Sequence, residues 1–179
     1  MGAQDAADGK MSQQDAEPGA PRTTTFKLLF VCTGNTCRSP MAEGIARDEL
    51  RRRGWKNVEV ASAGLAAATG ERATREAVVV ARRAGVTLDR HRSRPLTPEV
   101  AADADLILAM GPSHLGMLAR LGVGEKAATL GDFAAGAEGE GPAVQDPYGS
   151  DEAVYRETFR ELRALVSAAL DRLAPILAP

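Results

Sequence analysis

Thiols and imidazoles are scarce in this chain, with two cysteines and two histidines among 179 residues. The cysteines, Cys32 and Cys37, stand five positions apart and do not read as a secreted disulfide framework. The same scarcity gives no zinc-ligand pattern, so no metal and no cofactor are expected. Aromatic residues make up only 4% of the chain, which leaves alanine and aliphatic side chains to do most of the packing. No apolar stretch approaches the roughly 18 residues of a membrane span, and the N-terminus carries no apolar signal core. Neither sign of charge dominates: the formal net charge is -2, which argues against nucleic acid or a membrane surface as partner. The expectation is a cytoplasmic monomer.

What is present is enough for one substantial core, since 44% of the residues are apolar. Residues 1–24 are rich in Gly, Ala, Asp and Gln without a hydrophobic period, and read as a disordered extension. Residues 25–179 read as a single folded domain. Phe26–Cys32 reads as a buried strand and Pro40–Arg53 as a helix stopped by Gly54. Val58–Ala61, Asp105–Met110 and, more weakly, Ala127–Leu130 follow as strands. Helices are expected over Ala73–Ala84, Thr97–Ala101, Ser113–Leu121 and Asp151–Leu173, the last with an apolar stripe of Val154, Leu162, Leu165, Val166, Ala169 and Leu173. Gly131 to Gly149 show no period; connections of that length are usually functional or disordered, and this one reads as a lid. The alternation predicts an α/β fold, a doubly wound parallel sheet of about four strands with helices on both faces. Sites in such sheets sit at the carboxyl ends of the strands.

The first strand runs directly into Cys32-Thr33-Gly34-Asn35-Thr36-Cys37-Arg38-Ser39-Pro40. A Gly-containing loop before a helix N-terminus is a nest of backbone N–H groups suited to a dianionic phosphate. Ser39 reads as the helix N-cap and Pro40 as its first helical residue. A helix dipole repels cations at this end, so Arg38 makes better sense with an anion beside it than as a surface charge. Its planar fork of donors matches phosphoryl oxygens, and the same positive field favours Cys32 as a thiolate nucleophile. Alone, Cys32 would read as well as a small buried hydrophobe; Gly34, Asn35, Arg38 and Ser39 in register favour the nucleophile. Cys37 is open between a structural thiol and a redox partner of Cys32. Asp146-Pro147 could be a mere turn, but a leaving group needs a proton and few carboxylates downstream are better placed than Asp146. Tyr148 reads as a wall of the substrate cleft.

The spacing Cys-x5-Arg-Ser is that of cysteine-dependent phosphatases, and Val31 to Glu43 resembles the low-molecular-weight protein phosphatase family. Ser62-Ala63-Gly64, His91 before Ser93 and Pro95-Leu96-Thr97, Asp105 to Met110, and Asp146-Pro147-Tyr148 match in order, so the resemblance covers about residues 26–173. It implies hydrolysis of phosphorylated proteins through a phosphocysteine, with inorganic phosphate as product and inhibitor. Thr33, Gly34, Asn35, Thr36, Cys37 and Ser39 would then hold the phosphate, Ser39 also bonding the thiolate. Asn35, His91 and Ser62 would form a structural network. His114 has no such support and is expected to be exposed. Thr36, where phosphotyrosine enzymes of the family usually carry a bulky aliphatic, resembles the protein-arginine phosphatase branch. The lid departs from the tyrosine pattern too, because one aromatic is followed by Gly149-Ser150. Phosphotyrosine remains the alternative substrate. Arsenate reductases share the thiol loop but relay oxidation through further downstream cysteines, and none follows Cys37. A phosphate-binding module without catalysis would need neither Cys32 nor Asp146.

Overall fold

The structure is a computed structural model and describes residues 25–178; the extension expected over residues 1–24 lies outside the described residues. Four parallel strands form one sheet, β1 (Phe26–Cys32), β2 (Val58–Gly64), β3 (Leu106–Ala109) and β4 (Ala127–Thr129), in the order β2-β1-β3-β4. The two most apolar strands, β1 and β3, are thereby central, as burial on both faces requires. The side chains of β1 alternate between two cores with the two-residue period of a strand. Leu28, Phe30 and Cys32 pack with residues of α1 (Arg38–Arg53), α2 (Arg75–Arg83) and α6 (Glu152–Leu177), while Leu29 and Val31 pack with α3 (Pro98–Asp103) and α4 (Pro112–Arg120). The expected doubly wound sheet is the observed one.

Several boundaries differ from expectation for identifiable reasons. β2 runs on through Ser62-Ala63-Gly64 because these residues pair with Phe30, Val31 and Cys32 of β1. A Cβ at Gly64 would stand 2.6 Å from the Thr33 carbonyl oxygen and 2.9 Å from the Asn35 nitrogen, so only glycine lets β2 end beneath the loop after β1. α1 starts at Arg38, with Cys37 in the N-cap position and no side chain capping it. Ser39 therefore lies inside the first turn and is not the cap; its hydroxyl is engaged elsewhere. Gly131 to Gly149 is not structureless either. A short helix α5 (Leu130–Ala135) is capped by Thr129, whose hydroxyl accepts from the Asp132 N–H. The chain then returns so closely that a Cβ at Gly131 would meet the Pro142 carbonyl oxygen at 2.0 Å. In α6 the predicted stripe is turned at its start: Val154 is 43% exposed, and the neighbouring Tyr155 and Phe159 are buried.

Candidate active site

The loop after β1 and the first turn of α1 stand at the carboxyl end of the sheet, between the ends of β2 and β3. Cys32 Sγ is buried there with two donors in reach, the Ser39 hydroxyl at 3.0 Å and the Asn35 backbone N–H at 3.3 Å. Asn35 takes a left-handed conformation, φ 54°, which asparagine adopts more readily than most residues. Its side chain, wholly buried, is bonded at every end. The Arg94 N–H donates to Oδ1 at 2.9 Å, and Nδ2 donates to the hydroxyls of Ser39 and Ser62, each at 2.9 Å. Both serines accept from Asn35 and keep their own protons for another partner. Ser62 gives its proton to the Glu43 carboxylate; Ser39 has Cys32 in front of it.

His91 belongs to this support, as expected, but through the main chain: its Nε2 lies 2.7 Å from the Asn35 carbonyl oxygen, and the ring is only half-buried. Cys37 also lines the cleft, and its Sγ lies 3.2 Å from the Tyr155 hydroxyl and 3.6 Å from Thr74 Oγ1. The Tyr155 phenol is raised well above its ordinary value by burial and by Cys37. Both cysteines are free thiols.

Arg38 is buried and reaches the lid. Its guanidinium donates to the Val144 carbonyl oxygen at 3.2 Å and to Asp146 Oδ2 at 2.9 Å, while its buried Nε has no protein partner. Val144 is in turn fixed to the end of β3, its N–H donating to the Met110 carbonyl at 2.8 Å. Asp146 also accepts from the Tyr148 N–H at 3.2 Å, a local turn that leaves the Tyr148 ring 71% exposed at the mouth. Thiol, arginine, carboxylate and aromatic wall thus border one cleft of about 390 Å³. Thr33, Gly34 and Thr36 line it from the loop, and Ala66, Ala68 and Glu71 from the turn after β2.

His114 contradicts expectation. It is 5% exposed, and its Nε2 lies 3.1 Å from Thr33 Oγ1. Burial holds the imidazole below its ordinary value, helped by the Arg38 charge and opposed by the Gly111 backbone and Asp146. The first turn of α4 follows β3 at the carboxyl edge of the sheet, which was the available signal for it. Glu43, Thr74, Tyr155 and Arg94 were also missed as parts of the site. Of these only Glu43 stood inside a recognised motif.

The sequence matches the family described as low molecular weight phosphotyrosine protein phosphatase over residues 27–176. A protein-arginine-phosphatase of Bacillus subtilis (strain 168) is 40% identical over 141 residues, which are 78% of this chain and 91% of the relative. Among solved structures, a mutant of the YwlE arginine phosphatase with a phosphorylated active-site serine superposes with TM-score 0.79 at 37% identity, over 84% of this chain and 97% of that one. A low molecular weight protein tyrosine phosphatase from T. tengcongensis gives TM-score 0.77 at 39% identity, covering 83% of this chain and 100% of its own. A match that spans both cores and the lid, with relatives covered almost end to end, makes this chain a member of the low molecular weight phosphotyrosine protein phosphatase family.

Proposed function

We propose that this chain hydrolyses phosphoarginine on proteins by two displacements at phosphorus, with Cys32 as nucleophile. The Cys32 thiolate attacks in line, and backbone N–H groups of Thr33 to Ser39 together with Arg38 hold the equatorial oxygens. The Ser39 hydroxyl and the Asn35 N–H stabilise the thiolate before attack and as leaving group afterwards. Asp146 protonates the departing nitrogen, then takes a proton from the water that opens the phosphocysteine. Inorganic phosphate, fitting the same loop, is product and competitive inhibitor.

In the structure Arg38 and Asp146 form an ion pair at 2.9 Å. A phosphoryl dianion competes for that guanidinium, so substrate binding frees the Asp146 carboxyl to face the leaving group. The observation that carries phosphoarginine is Thr36 at the cleft floor, half-buried, with Oγ1 toward the loop interior 3.7 Å from Cys37 Sγ. A hydroxyl-bearing floor suits the N–H of a guanidinium, whereas an aliphatic one would leave it unpaired. The similarity to arginine phosphatases supports the same reading. Phosphotyrosine is the second reading, favoured by the exposed Tyr148 ring, which a phenyl group could stack on. Competing phosphoarginine and phosphotyrosine peptides of one sequence, compared by kcat/KM, test the proposal. A preference for phosphotyrosine would overturn it.

A further inference from the structure

The third wall of the cleft, the turn after β2, has no part in the chemistry above, yet it is built rigidly. Ser93, 2% exposed, is its staple. The Ser93 hydroxyl donates to the Ala68 carbonyl at 2.7 Å and accepts from the Glu71 N–H at 2.9 Å. Its backbone N–H donates to the Glu71 carbonyl, and its carbonyl accepts from the Gly70 N–H, each at 2.8 Å. The segment bearing Ser93 is tied in turn to Asn35 through His91 and Arg94. The backbone of Glu71 is therefore fixed with respect to the phosphate loop.

The cleft has a graded charge. Arg38, the cation among its described lining residues, is buried, while the two acidic lining residues, Glu71 and Asp146, are exposed and so stand toward its mouth. Ala66 and Ala68 are short, so no bulky side chain of that wall screens Glu71 from an occupant. A phosphoryl dianion belongs at the base, and the group attached to phosphorus then meets the acids. We infer that Glu71 is a specificity-determining residue that pairs with the guanidinium of the substrate and disfavours uncharged aryl groups; this rests on the phosphoarginine reading. A protonated guanidinium gains charge-assisted hydrogen bonds from Glu71. The carboxylate repels the phosphoryl dianion of either substrate on entry, and a phenyl ring gains nothing to offset this.

The test measures kcat/KM of wild type, Glu71→Gln and Glu71→Arg on free phosphoarginine and on p-nitrophenyl phosphate. The side chain is exposed, so neither variant disturbs the core. Glu71→Gln should lower turnover of phosphoarginine about 5- to 10-fold, the scale of one charged hydrogen bond partly screened by water. Turnover of the aryl phosphate should rise, and Glu71→Arg should exaggerate both changes. Added salt at about 0.5 M should shrink them. Equal changes on both substrates would overturn the role of Glu71. So would unchanged turnover of free phosphoarginine in both variants, because Glu71 would then not touch its guanidinium. A wild type without activity on phosphoarginine would instead overturn the reading beneath.

Discussion

Arg38→Lys keeps the charge and removes the fork, and the structure says how much each should matter. Two of the guanidinium donors hold the lid, one on the Val144 carbonyl and one on Asp146, and Nε is buried without a protein partner. A lysine ammonium offers three donors from a single point and cannot reach two sides of a phosphoryl group while keeping the lid in place. In the reaction it forfeits roughly two charge-assisted bonds to equatorial oxygens and regains part of one. At about 1.5–3 kcal/mol for each, the barrier should rise by about 3–4 kcal/mol, which is roughly 150- to 900-fold in rate.

Folding should suffer far less. Asp146 is about half-exposed, with 48% of its side-chain surface accessible, so its ion pair contributes no more than about 1 kcal/mol. An unpaired Val144 carbonyl adds about 1 kcal/mol. A loss of ~2 kcal/mol leaves a domain of ordinary stability folded. The measurement is kcat/KM on an aryl phosphate and the inhibition constant of inorganic phosphate, beside a urea midpoint. A loss under tenfold, or one that tracks the unfolded fraction, would refute Arg38 as the phosphoryl clamp.

Three other outcomes are expected. Asp146→Asn should depress turnover strongly for a poor leaving group and much less for p-nitrophenyl phosphate, and equal losses would mean that Asp146 merely holds the lid. Thr36→Ile should lower kcat/KM on phosphoarginine relative to phosphotyrosine by about 5- to 150-fold, while parallel changes on both would return the floor to a neutral role. His114 has its pKa lowered in the fold, so the unfolded chain takes up its proton first, and its contribution, complete above the unfolded value, is lost as pH falls below about 6.5. His114→Gln should therefore flatten the decline of the urea midpoint between pH 7 and 5, and an unchanged slope would show that other groups set it.

The strands and the phosphate loop were legible because each rests on local chemistry: an apolar run of the right length, then loop residues whose types fit an anion. β1 matches its expected bounds for that reason. β2 was read short, because Ser62, Ala63 and Gly64 carry little strand character and are held extended only by pairing with β1. Helix α5 escaped because six residues containing Gly131 show no period; the cap from Thr129 and the close return of the chain at Pro142 hold it. Tyr155 was hidden by a stripe anchored one residue early, at Val154. His114 was misjudged because nothing in its own segment reveals that Thr33, 81 positions earlier, lies against it. Partners of that separation are a property of sheet order, not of local sequence.

The site divides into a rear that cannot change and a front that must. Behind Cys32, Asn35 spends its amide protons on Ser39 and Ser62 and its oxygen on Arg94. Reversing that amide would set two N–H groups against each other at Arg94, so its orientation has one low-energy choice. The choice propagates outward: Ser62 must turn its proton to Glu43, and Ser39 must turn its own to the sulfur. In front, a buried guanidinium needs an anion at all times. Asp146 supplies it in the structure, and burial together with the Arg38 charge lowers the His114 pKa, which disfavours a second cation there. In the proposed mechanism the phosphoryl group brings a stronger anion to the same donors, so the exchange would leave Arg38 compensated throughout and deliver Asp146 to the leaving group. An acid tethered by a rigid salt bridge would be useless. One tethered by a bridge that the substrate itself replaces is available only when there is a bond to break.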